Sequence, residues 1–207
     1  MKSLELLNDL IKINSIKINL KKSFSWASGW KSPFYFDNRI SLSYPIIRKE
    51  ITERLVDIIK VNFSDVEIIA GVATAGIPQG ALVAEKLNLP FAYVRSKPKS
   101  HGMKNMIEGK IEKGKNVLLI EDLISTGGSS IKAVKAVRDT GSNVIGVLSI
   151  FNYGFKVSEV NFKNIKCKTE SIFSYNDLLT IAHKNEYIED QDLEKLRGWR
   201  DNPENWK

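Results

Sequence analysis

The 207-residue chain is expected to fold as an α/β domain, with a mostly parallel central sheet flanked by helices. Three observations predict it. Between residues 66 and 150, short apolar runs alternate with stretches of helical periodicity. Glycine marks the turns that follow the strands over 66–70 and 117–121. Hydrophobic residues make up 43% and charged residues 27%, too apolar for disorder and sufficient at this length for one core with helices on both faces of a sheet.

Taken in order, residues 3 to 13 place Leu6, Leu7, Leu10 and Ile11 at helical spacing behind Ser3, an expected N-cap. Residues 24 to 39 are dense in aromatics; 34 to 36 read as a short strand after Pro33, and the residues before them as loop. Pro45 opens a long helix at its favoured first-turn position, with Ile47, Ile51, Leu55, Ile58 and Ile59 on the buried face. The alternation then predicts a strand over 66–70, a helix over 77–87, a strand over 91–94, a basic loop, a strand over 117–121, a helix over 128–139 and a strand over 144–150. A further strand is expected over 168–173. After it, Ser174 and Asp177 form the signature of a capped helix start. No internal repeat or low-complexity linker divides the chain.

Composition excludes several classes. The one cysteine, Cys167, has no partner for an intramolecular disulfide, and only two histidines exist to join it at a metal. No run approaches the ~18 apolar residues that cross a bilayer, and Glu5, Asp9 and Lys12 interrupt the N-terminal stretch where a signal peptide is apolar. A cytoplasmic protein with no membrane partner is the expectation. The net charge of +7 permits nucleic acid, but no helix-turn-helix or RNA-reading motif accompanies it, so no nucleic-acid partner is expected.

The strongest chemical signal runs from Val117 to Ser130: an apolar strand, the adjacent acids Glu121 and Asp122, then Ser125, Thr126, Gly127, Gly128 and Ser129 turning into a helix. Glycines let backbone approach an anion, and the free N–H groups and dipole of the following helix attract it. Thr126, Gly127, Gly128 and Ser129 are therefore expected to grip a terminal phosphate. The acids, at the carboxyl end of a buried strand, can accept hydrogen bonds from vicinal sugar hydroxyls. The Walker lysine and the G-x-G-x-x-G spacing are both absent.

Between residues 95 and 115, one arginine and six lysines face only Glu108 and Glu112, a net +5 with His101 neutral. Pro98, Gly102 and Gly109 bracket this loop, which suits a lid closing over a polyphosphate. A second glycine turn, Gly71 to Pro78, joins a strand to a helix and leaves backbone N–H groups free for an anion.

The 117–130 segment resembles the phosphoribosyl pyrophosphate signature of type I phosphoribosyltransferases, and the chain is similar over residues 20 to 150 to the orotate phosphoribosyltransferases. The resemblance implies that Glu121, Asp122, Leu123, Ile124, Ser125, Thr126, Gly127, Gly128 and Ser129 bind phosphoribosyl pyrophosphate. It implies that the basic loop is catalytic, with Arg95, Lys99 and His101 on the diphosphate, and that the Thr74-Ala75 turn also holds that group. Ser28-Gly-Trp-Lys-Ser-Pro-Phe-Tyr-Phe36 resembles a hood over the orotate ring, lined by Tyr35 and Phe36, with Ser125 hydrogen-bonding on the orotate side. The implied fold is a single type I phosphoribosyltransferase-like domain: N-terminal helix and hood over about 1–42, core over 43–160, C-terminal hood and tail over 161–207. The implied partners are orotate and phosphoribosyl pyrophosphate, with Mg²⁺ carried by the diphosphate rather than by a dedicated protein cage, and a homodimer sharing the 95–110 loop across subunits.

The chain departs from some relatives in three places. Ala27 stands where many carry lysine, Thr74 and Ala75 replace a Tyr-Lys pair, and no arginine appears near 151–153. Two rivals share parts of the pattern: the same transfer to a purine, and a non-catalytic sensor of phosphoribosyl pyrophosphate that binds nucleic acid.

Overall fold

The computed structural model describes residues 4–26, 29–97 and 106–206. Helix α1 (Glu5–Lys12) buries Leu6, Leu7, Leu10 and Ile11, as the spacing predicts; its expected cap, Ser3, lies outside the described residues. Four short strands follow: β1 (Ile16–Ile18), β2 (Phe24–Ser25), β3 (Lys31–Ser32) and β4 (Phe34–Phe36). Only β4 was expected, and β2 and β3 correct the loop read before it. Elements of two or three residues carry no periodicity; they are defined by pairing, β1 antiparallel with β4 and β2 with β3. A 3-10 turn, Asn38–Ser43, leads into α2 (Pro45–Asn62), which begins on Pro45 and buries Ile51, Leu55 and Ile59, with Ile47 and Ile58 half-buried beside them.

The body is β5 (Ile68–Val72), α3 (Gly76–Leu87), β6 (Phe91–Val94), β7 (Ile107–Glu108), β8 (Asn116–Ile124), α4 (Gly128–Arg138), β9 (Asn143–Asn152), α5 (Lys156–Asn164) and β10 (Thr169–Ser174). Helices α6 (Tyr175–Lys184) and α7 (Asp190–Asp201) and a 3-10 turn, Pro203–Asn205, close the chain. Six strands form one sheet in the order β10-β9-β8-β5-β6-β7, parallel except between β6 and β7. This is the mostly parallel α/β sheet that the alternation predicts, and it agrees with the fold that the resemblance of the 117–130 segment implies. In the centre of β8, Val117 and Leu119 pack into one apolar cluster with Ala133, Val134, Val137 and Phe162, while Leu118 and Ile120 join the other with Ile51, Leu55, Val83 and Leu148. The sheet is thus covered on both faces, which is why its strands read as continuous apolar runs.

Several boundaries move. Strand β5 starts at Ile68 rather than 66 because Glu67 is engaged: its carboxylate accepts the Asn116 N–H at 2.9 Å and Lys115 Nζ at 2.7 Å. It runs through Gly71 to Val72, which pair with Tyr93 and Val94. Strand β8 continues past Glu121, because Leu123 and Ile124 pair with Phe151 and Asn152 on β9. The two acids therefore lie inside the strand, not at its last residues. Helices α5 and α7 were not anticipated; each buries only two residues, Ser158 and Phe162 or Leu196 and Trp199, too few to make a periodic stripe.

The C-terminal elements close over the N-terminal strands. Trp199 is buried and donates its indole N–H to the Lys31 carbonyl at 2.9 Å, and Trp206 donates to Ser23 Oγ at 3.0 Å. Cys167 is buried, and burial pushes its thiol above the usual range. Among the described residues, no helix is long and apolar enough to cross a membrane.

Candidate active site

The turns at the carboxyl ends of β5 and β8 meet around a cleft of about 720 Å³. Its walls are the turn Ala73, Thr74 and Ala75, the acids Glu121 and Asp122, Leu123, the run Ser125 to Ser130, and two cations, Arg39 and Lys132. The Ala73-Thr74 peptide bond is cis. The 73–76 turn lies against β8 because residue 76 is glycine: a Cβ there would collide with the Ile120 carbonyl oxygen. Gly127 caps α4 at φ +81°, and a Cβ on it would meet Phe162 Cε2 at 2.7 Å. No side chain caps α4, so its first-turn N–H groups, which have no partner within the helix, remain available at the cleft.

Glu121 is 5% exposed. Ser130 Oγ donates to its Oε2 at 2.9 Å, and the Asp122 backbone N–H donates to Oε1 at 3.1 Å. Burial, and next the neighbouring Asp122 charge, raise its pKa well above the ordinary carboxylate range. Burial also raises Asp122, against which hydrogen bonds and the Arg39 charge act. Asn38 Nδ2 donates to the Asp122 carbonyl at 3.2 Å, tying the acid strand to the segment after β4. Arg39 is oriented by Asp37: its Nε and Nη2 donate to the two carboxylate oxygens at 2.7 and 3.0 Å, and these hydrogen bonds hold Asp37 below its usual pKa.

A second cavity of about 460 Å³ adjoins the first and shares Leu123 and Ser125 with it. Tyr35 and Phe36, the two hood residues singled out in the sequence, line it, together with Ser25, Trp26 and Tyr153. One cavity thus ends on the uncapped start of α4 and carries acids and cations, the other is aromatic, and both share Ser125.

Of the residues expected to bind phosphoribosyl pyrophosphate, Thr74, Ala75, Glu121, Asp122, Leu123, Ser125, Thr126, Gly127, Gly128 and Ser129 border the first cleft. Ile124 borders neither cavity; its side chain is in the core and its carbonyl accepts the Tyr153 N–H at 3.0 Å. Arg95 is displaced from the main cleft: Nη1 pairs with Glu108 Oε1 at 3.0 Å, and the residue borders a small cavity of about 80 Å³ that also touches Ser129 and Lys132. Lys99 and His101 lie outside the described residues, as do Ala27 and Ser28. Sequence reasoning missed Arg39, Lys132, Trp26 and Tyr153. Arg39 ends the hood segment and Lys132 lies one helical turn beyond Gly128, so proximity along the chain offered a signal for both; nothing local marked the two aromatics.

Comparison with known proteins agrees with this geometry. The family model of the phosphoribosyl transferase domain matches residues 42–178. The orotate phosphoribosyltransferase of Cytophaga hutchinsonii is 50% identical over 198 residues, 96% of this chain and 95% of that protein. That of Bacteroides thetaiotaomicron is 50% identical over 208 residues, covering 100% and 98%. Among solved structures, orotate phosphoribosyltransferase from Aeropyrum pernix superposes with a TM-score of 0.76 at 27% identity, covering 89% of this chain and 99% of that one. The Leishmania donovani UMP synthase gives 0.81 at 24% identity, covering 96% and 42%, and speaks for the fold alone. With the cleft, the neighbouring aromatic cavity and these relatives in agreement, the chain belongs to the phosphoribosyltransferase family, in its orotate phosphoribosyltransferase branch.

Proposed function

We propose that this chain transfers ribose 5-phosphate from phosphoribosyl pyrophosphate to orotate, giving orotidine 5′-monophosphate and diphosphate in pyrimidine biosynthesis. The observation that carries the reading is the junction of the two cavities: the 121–129 segment addresses sugar and phosphate in one, and its own Leu123 and Ser125 form a wall of the aromatic other. A planar acceptor there meets the sugar at one continuous piece of backbone.

A ring nitrogen of orotate displaces diphosphate from C1 of the ribose with inversion. As that bond lengthens, the sugar becomes oxocarbenium-like and negative charge grows on the leaving group, so groups that bind this charge more strongly in the transition state accelerate the step. Glu121 and Asp122 accept the ribose hydroxyls, and Thr126 to Ser129 with the α4 N-terminus hold the 5-phosphate. The Thr74-Ala75 turn, Lys132 and the Arg95, Lys99 and His101 loop serve the diphosphate. Tyr35, Phe36 and Ser125 hold orotate. Glu121 and Asp122 offer the carboxylate oxygens that suit Mg²⁺, and when bound through the substrate's phosphates the ion would supply charge neutralisation of the leaving group. The working unit we propose is a cytoplasmic homodimer in which the 95–110 loop reaches the neighbouring subunit's cleft.

The direct test is loss of orotate's ultraviolet absorbance with phosphoribosyl pyrophosphate and Mg²⁺, with adenine, xanthine and uracil in parallel. Turnover of orotate alone is expected; turnover of a purine instead would overturn the acceptor assignment. Lys99→Ala is expected to lower kcat about 100-fold or more with an unchanged thermal midpoint, and full turnover would remove Lys99 from the mechanism. If the loop is shared, mixing Lys99→Ala with Asp122→Asn subunits restores activity that neither variant has alone.

Arg39 carries a separate expectation. Asp37 engages its Nε and Nη2, and the residue borders the cleft that contains the 73–75 turn, where some relatives carry a lysine that this chain lacks. Arg39→Ala is expected to raise the KM for phosphoribosyl pyrophosphate about tenfold, the scale of one charged hydrogen bond, and to change that for orotate much less. Equal changes in both KM values would make its role structural.

A further inference from the structure

The aromatic cavity holds one polar group that its surroundings do not explain. Tyr153 is 1% exposed, with its ring stacked on Phe155 at 5.1 Å and 4° and wedged against Trp26 at 5.0 Å and Phe151 at 5.0 Å. Its polar aromatic neighbours are partnered: the Tyr175 hydroxyl donates to the Leu196 carbonyl at 2.9 Å, Trp199 donates to the Lys31 carbonyl at 2.9 Å, and Trp26 donates to the Phe34 carbonyl at 3.3 Å. No hydrogen bond joins the Tyr153 hydroxyl to a described residue, the hydroxyl is not one of the fully buried unpartnered atoms, and Tyr153 lines the cavity beside Leu123 and Ser125. A hydroxyl without a protein partner on the wall of a binding cavity is free to pair with a ligand group placed there.

Two further features fit such a partner. The described residues that line the cavity are uncharged, so the donors they offer an anionic planar acceptor are neutral. The Tyr153 backbone N–H donates to the Ile124 carbonyl at 3.0 Å, which fixes this residue to the end of the strand that carries the sugar-binding acids. Burial raises the phenol well above its ordinary pKa, so it stays protonated and able to donate across the working range.

We propose that the Tyr153 hydroxyl donates a hydrogen bond to an exocyclic oxygen of the acceptor base, making Tyr153 a specificity-determining residue that serves in place of a cation. The proposal rests on the reading of this chain as an orotate-using transferase. A base that presents no oxygen acceptor at that point leaves the hydroxyl buried and unpaired, and such a mismatch is what a polar site rejects most strongly. The interaction forms only with ligand, so it contributes nothing to the stability of the free protein.

Tyr153→Phe separates these effects, because it deletes one oxygen and retains the ring packing. The KM for orotate is expected to rise about tenfold, the scale of one hydrogen bond to a charged or strongly polar ligand group, while the KM for phosphoribosyl pyrophosphate stays within about twofold. The thermal midpoint of the ligand-free variant is expected to equal or exceed that of the parent, since the hydroxyl removed makes no hydrogen bond within the described residues. An unchanged orotate KM, equal rises in both KM values, or a variant that is less stable or does not fold would each overturn the proposal, the last because it would reveal a structural partner for the hydroxyl. The parent protein, assayed first with orotate, tests the underlying activity independently: if it fails to use orotate, the functional reading falls before the variant is considered.

Discussion

Gly76→Ala is expected to destabilise the fold by about 3 kcal/mol or more and to reduce kcat/KM by a larger factor than the unfolded fraction accounts for. The new Cβ would fall on the Ile120 carbonyl oxygen, and backbone cannot swing away as the end of a flexible side chain can. Overpacking a tight interior site costs roughly 1–3 kcal/mol where side chains can yield, so a backbone collision sits at or beyond the upper end. The displacement would be felt in the cleft, because Ile120 immediately precedes Glu121 and the 73–75 turn forms the opposite wall. Gly128→Ala is the control: a Cβ there meets only Thr126 Oγ1, at 3.8 Å, and its midpoint in urea is expected within about 1 kcal/mol of the parent, the ordinary range for a tolerated substitution. Equal midpoints for the two variants would show that the turn can move away from β8 without cost.

That contact also shows why part of the site was legible in the sequence and part was not. The 117–130 segment is continuous, so the strand, the two acids and the helix start could be read as one unit, and the structure keeps them in one cleft wall. Its strand end was misjudged because acids read as a terminus, whereas Leu123 and Ile124 extend the ladder by pairing with Phe151 and Asn152. Tyr35 and Phe36 stood out through a family pattern, not through periodicity. Trp26 and Tyr153 did not stand out, since both look like core aromatics; only the antiparallel hood strands and the β8–β9 register bring them to the same cavity from 127 residues apart in the chain. Arg39 was visible as the end of the hood motif, but an arginine two residues from an aspartate reads as a local ion pair. It becomes a site residue only when Asn38 is seen to reach the Asp122 carbonyl across the molecule.

Glu121→Gln is expected to lower kcat/KM about 100-fold, the scale of one preorganised polar group, while raising thermal stability at pH 8. The carboxyl is almost fully buried, and burial and the Asp122 charge raise its pKa well above the 4.5 it has in an unfolded chain. Above pH 4.5 the folded protein therefore holds more protons at this position than the unfolded chain does. Its contribution is at its most favourable below about pH 4.5 and is lost as pH rises through the raised folded value. Asp122 is shifted in the same direction and adds to the slope. Glutamine does not titrate: its carbonyl can keep the Asp122 N–H, and the Ser130 hydroxyl can turn to accept from the new amide. Melting curves of the two proteins should then converge near pH 4.5 and separate toward pH 8 with the variant higher; parallel curves would mean that Glu121 is ionised at little cost in the free cleft. Separation together with the loss of turnover would identify Glu121 as a group whose burial weakens the fold and whose acceptor oxygens are retained for the ribose hydroxyls, a conflict between stability and activity confined to one side chain.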